Sequence, residues 1–221
     1  MENFLLKNLF LDDGLTPRKI DYLTSLRIAW EELKKRDIRD VSLKSGAYLL
    51  EDGLKLKYFE DYYIILKNQE NIYIENKKDI DVSLRTQILL LHYLNTSDGK
   101  KSSGEWITYR QLPTGPFYYT AYEKRSIAIL EKSFRDSQDA LLQASLKLNG
   151  KRAEFGDMGF VFNVLPKISI ALSFWKGDEE FSSKIKLLFD SNITHYLPLE
   201  DIVVLCQELS IKLVFKNKTD N

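Results

Sequence analysis

The sequence predicts an α+β fold in which antiparallel β-sheets pack against about four to five α-helices. Strand-like runs gather in two blocks, residues 47–75 and 160–189, and are joined within each block by short turns. Helical periodicities flank these blocks and do not alternate with them, which argues against a doubly wound parallel sheet. Apolar residues make up 44% of the 221-residue chain, enough to fill a sizeable core.

Each element follows from local signals. Thr16 and Pro17 set an N-cap before a proline at the first helical position, and apolar residues recur at Ile20, Leu23, Leu26, Ile28, Trp30 and Leu33. A first helix is therefore expected over about 17–35. Asp52-Gly53, Glu60-Asp61 and the polar run 68–71 then cut a tyrosine-rich stretch into short strands near 47–50, 54–59, 62–66 and 72–75. Asp81 is the expected cap of a helix over 82–94, with Ile88 and Leu91 on its apolar face. The polar run NTSDGKKSSGE, 95–105, ends that pattern and is read as a mobile loop or a sub-lobe boundary within one domain spanning 1–221.

A strand over 106–110 leads into the turn QLPTGP, followed by helices over about 118–134 and 136–148, the second stopping at Asn149-Gly150. Two strands, 160–165 and 168–175, meet at Pro166-Lys167, and a third covers 184–189. Pro198 opens the last helix, with Glu200 and Asp201 in its first turn, where the helix dipole favours acids.

Composition narrows the function classes. Lys plus Arg equals Asp plus Glu at 32 each, so no net charge attracts a polyanion, and a nucleic-acid partner is not expected. Cys206 is the only cysteine, which rules out an internal disulfide and any four-cysteine metal or cluster site, and suggests a cytoplasmic setting. No apolar run approaches the roughly 18 residues of a membrane span, and residues 1–14 lack the basic start of an export signal. No phosphate-binding glycine loop or nucleophile elbow occurs, so no particular cofactor is indicated.

Two constellations can carry chemistry. In the segment 106–125, Trp106, Tyr109, Tyr118 and neighbouring rings surround Arg110 and Arg125, a set suited to a small anionic or flat ligand. Arg110 would hold an anionic group while Trp106 and Tyr118 stack. The plainer account is a helix packing its rings on a sheet. Asp178, Glu180, Asp190 and His195 form the second set, the ligands of a metal-assisted hydrolase or lyase if they share one cleft. A tight turn at Gly177-Asp178 with solvated acids is the simpler reading, and His195 can meet Asp190. His92, within LLLHYL, is expected as a satisfied core histidine, and Cys206 as a buried hydrophobe.

Taken in order, ILLLHYL, GEWITYRQLPTG, RSIAIL, VLPKISIALSFWKGDEEF and LFDSNITHYLPLEDIVVL resemble the family known as domain of unknown function 3786. The resemblance implies an uncharacterised role in anaerobic bacteria and archaea, where some members carry an added iron–sulfur module. One cysteine cannot supply such a cluster's four ligands. Three roles follow as expectations: an accessory protein binding a small molecule or cofactor, the metal-assisted enzyme, or an interaction module with a protein partner.

Overall fold

A computed structural model of the chain describes residues 19–218, so the expected Thr16-Pro17 helix start lies outside the described residues. The fold is α+β: two antiparallel sheets of four and five strands with helices packed on them. Helix α1 (Lys19–Lys35) turns Ala29, Trp30 and Leu33 inward, while Ile20, Leu23 and Ile28 stay exposed. The apolar pattern expected for this helix is thus wider than the face it buries.

Helix α2 (Ile38–Ser45) has no counterpart in the sequence reading, because only Val41 and Ser45 are buried and no apolar stripe announces it. Its caps carry it instead. The Asp37 carboxylate accepts from the Arg39 and Asp40 amides at 2.7 and 3.3 Å, and Gly46 takes φ 74° to return its amide to the Ser42 carbonyl.

The first sheet comprises β1 (Tyr48–Leu49), β2 (Gly53–Tyr58), β3 (Asp61–Leu66) and β4 (Asn71–Ile74), hydrogen-bonded in that order. Alternation assigns Leu54, Leu56, Tyr58, Tyr63, Ile65, Ile72 and Ile74 to the core face. Lys55, Lys57, Tyr62, Ile64, Leu66 and Tyr73 occupy the outer face.

Helix α3 (Leu84–Thr96) is capped by Ser83, whose hydroxyl accepts from the Thr86 amide at 3.2 Å; Asp81, the expected cap, stands two residues too early. Its C-terminal carbonyls are closed by Arg36, which donates to Leu94 O at 2.8 Å, to Asn95 O, and to Ser97 O at 3.3 Å.

The second sheet runs β5 (Trp106–Thr108), β9 (Lys184–Asp190), β8 (Ile168–Trp175), β7 (Met158–Leu165) and β6 (Lys151–Ala153). Between β5 and β6 lie α4 (Gly115–Tyr122), a π-helical stretch (Glu123–Ile127), α5 (Ala128–Phe134) and α6 (Gln138–Lys147). Helix α7 (Leu199–Lys218) closes the chain against α3, α4, α5 and α6. Buried residues from both sheets and from these helices belong to one contiguous apolar cluster. Tyr93 pins three elements at its centre: its hydroxyl donates to Ser45 O at 2.5 Å and accepts from Lys167 N at 3.2 Å.

Candidate functional site

The aromatic–arginine segment divides between core and surface. Tyr109 and Tyr122 are buried and stack with ring centroids 4.4 Å apart, which packs α4 onto the core. Trp106 meets Phe155 edge-on at 5.5 Å on the outer side of the second sheet. The Arg110 guanidinium is exposed and lies 3.5 Å from the Tyr119 ring centre. Phe117 is 86% exposed and Tyr118 40% exposed on α4, while Arg125 is half-buried in the π-helical stretch. Two backbone irregularities flank these groups: Thr114 sits at φ 56°, and the helix widens to π geometry at Glu123.

The structure does not bring the four acid-cluster residues together. Asp178 and Glu180 lie in the β8–β9 turn, and Asp190 ends β9, which separates the two ends by about 20 Å of extended chain. Asp178 caps its own turn, accepting from the Glu180 and Phe181 amides at 2.9 and 2.8 Å. These backbone bonds hold its carboxyl below the ordinary range. Among the described residues no three His, Cys, Asp or Glu side chains are placed to hold one metal ion.

Asp190 instead anchors the polar loop. Its carboxylate accepts from Ser103 N and Oγ at 3.0 and 2.8 Å, Gly104 N at 3.0 Å, Asn192 N at 3.1 Å and the Ser102 hydroxyl. Burial alone would raise its pKa, but these donors prevail and set it at about 2. His195 pairs with Asp98, on the same loop, at 2.6 Å. The loop read as mobile is therefore stitched to the β9 corner by side chains far away in sequence.

A third cluster lies in the crease between α3 and α7. The two helices run antiparallel there, pairing Arg85 and Thr86 with Gln207 and Glu208 at one end, and His92 with Asp201 at the other. Glu208 accepts from Tyr58 OH at 2.5 Å, and burial pushes its carboxyl up despite that bond. His92 is raised by its hydrogen bond to Asp201, with burial opposing. Cys206, on the same helix, is fully buried and its thiol is pushed up by that burial, the state of an inert cysteine.

The outer face of the first sheet holds a shallow cavity, open to solvent, of about 400 Å³. Leu50, Ile64, Leu66 and Tyr73 form its apolar floor; Glu51, Asp52, Glu75, Asn76 and Lys78 supply the rim. On this face the Lys55 ammonium lies 4.5 Å over the Tyr62 ring and 2.7 Å from Glu75, and the Lys78 ammonium lies 5.1 Å over Tyr73.

The model of a family described as a domain of unknown function, DUF3786, matches residues 37–212. The chain belongs to the DUF3786 family. Comparisons with curated proteins and with solved structures find no match. The DUF3786 match takes in both sheets and helices α2 to α6, and so includes the cavity and the α3–α7 crease.

Sequence reasoning missed both of these within the DUF3786 region. The crease had one readable signal, Arg85 and His92 spaced seven residues apart on one helical face. The cavity had another: Lys55, Tyr62, Ile64, Leu66 and Tyr73 hold the outward phase of three strands. Both need the pairing of distant elements before they read as sites.

Proposed function

We propose that this DUF3786 chain is an accessory protein that binds a small molecule or cofactor, in the anaerobic setting the family resemblance implies, and that its ligand sits on the outer face of the first sheet. One observation carries the reading: the outer face of that sheet holds an open cavity with an apolar floor, and neither histidine of the chain lines it. The cavity is open to solvent, with an apolar floor and several polar groups at its rim, a lining that suits a small ligand. Tyr58 reaches from the inner face to Glu208 of α7, and His92 with Asp201 lies farther along the same helical crease. The carboxylates at the cavity rim, Glu51, Asp52 and Glu75, are joined there by Lys78 and Tyr73 and by no histidine or cysteine, and this lining favours binding over turnover.

The test is native mass spectrometry of protein purified from its host, beside the variant Leu66→Trp. Leu66 is half-buried on the cavity floor, and an indole there fills the space without disturbing the core face. A small molecule carried by the wild type and lost from Leu66→Trp is the expected result. A molecule retained equally by both proteins places the site elsewhere, and an empty wild type with no thermal shift across a metabolite panel counts against ligand binding.

A further inference from the structure

Resting on the reading of this cavity as the ligand site, we propose that its ligand is an organic cation, an amine or quaternary ammonium borne on a flat or aliphatic body. The outer face already cages ammonium groups of its own chain. Lys55 is held between the Tyr62 ring at 4.5 Å and the Glu75 carboxylate at 2.7 Å, the combination of aromatic face and acid that ammonium recognition uses elsewhere. Lys78, at 5.1 Å over Tyr73, applies the same contact to the ring that lines the cavity.

The charges at the rim complete the argument. Glu51, Asp52 and Glu75 face one lysine, Lys78, and Lys55 engages Glu75 from outside the lining. Glu51 and Asp52, in the β1–β2 turn, have no ion-pair partner among the described residues. Beneath them the half-buried Leu66 offers apolar area to the ligand body, with the buried Ile64 closing the floor. A cation entering over Tyr73 would meet these two carboxylates, and would compete with the Lys78 side chain for the ring. An anion would meet the same carboxylates as repulsion.

Three probes that share a phenyl ring and differ in charge separate the possibilities: benzyltrimethylammonium, benzyl alcohol and benzoate, titrated at low salt against methyl resonances of Leu50, Ile64 and Leu66. The expected result is that benzyltrimethylammonium shifts these methyls and binds roughly tenfold tighter than benzyl alcohol, while benzoate does not bind. Tyr73→Leu should abolish the cation preference and leave benzyl alcohol binding unchanged, Glu51→Gln with Asp52→Asn should weaken the cation several-fold, and Lys78→Ala should tighten it. Equal binding of the cation and the alcohol, or preferred binding of benzoate, overturns the cation proposal while leaving the cavity as the binding site. No methyl shift with any of the three overturns both.

Discussion

His92 Nδ1 and Asp201 Oδ2 lie 2.6 Å apart in the crease between α3 and α7, joining two helices through residues 109 apart in sequence. Asp201 is buried in the first turn of α7, and Glu32 and Glu200 add their negative charge around the imidazole. The hydrogen bond raises the His92 pKa more than burial lowers it. Protonated histidine is thus favoured in the folded state over the unfolded chain, whose value is about 6.5.

The sign of the pH dependence follows. A raised folded pKa gives a contribution that is complete below about pH 6.5 and lost as pH rises through the folded value. Urea denaturation should therefore show His92→Gln less stable than wild type by about 1–2 kcal/mol at pH 5.5, the worth of a charged hydrogen bond. The difference should shrink at pH 9. A difference independent of pH would show that the pair does not titrate with folding.

Asp190 predicts the opposite window. With a folded pKa of about 2 against roughly 3.9 unfolded, its contribution is present above pH 4 and is lost as pH falls toward 2. Asp190→Ala removes the acceptor of five donors and should cost about 2 kcal/mol at pH 7. Hydrogen exchange should then quicken at Ser103 and Gly104, whose amides bond the carboxylate directly. Protection unchanged at these amides would mean that other contacts hold the loop.

These two pairs also show how much was legible. Period-two alternation placed β8 with both ends correct, and the α+β class with antiparallel sheets stands. The strands β2 to β4 lie within a residue of their expected places, because strong turn signals bound them. Local caps were harder to read, since Ser83 and Asp81 both suit the start of α3 and only register on the core decides. The site was hardest. Trp106 and Tyr109 stand three residues apart in sequence, yet one lies on the outer sheet face and the other in the core, a difference set by the turn that follows β5. His195 meets Asp98 across a loop closure that no periodicity encodes.

Arg110 and Tyr119 give a third prediction. With the guanidinium 3.5 Å from the ring centre, the contact should contribute roughly 0.5–1 kcal/mol at this exposed site. Arg110→Ala and Tyr119→Leu should each lose about that amount, and the double variant should lose less than the sum of the two. A double-mutant cycle by chemical denaturation measures the coupling. Full additivity would reduce the arginine to a solvated charge over a ring that packs without it.

Adjacent residues at the start of α4 should respond in opposite directions. A Cβ at Gly115 would lie 2.1 Å from the Tyr109 carbonyl oxygen, well inside contact distance, so Gly115→Ala must push the helix start away from the turn. The cost should be about 2 kcal/mol or more, in the range of overpacked interior sites. Thr114, one residue earlier, holds a β-branched side chain at φ 56°, where glycine is unstrained. Thr114→Gly relieves that strain but frees the unfolded chain, so its net effect should fall between zero and a gain of about 1 kcal/mol. Paired denaturation curves decide the matter: if Thr114→Gly destabilises as much as Gly115→Ala, the Thr114 side chain is making contacts that outweigh its backbone strain, and the turn is held by its side chains.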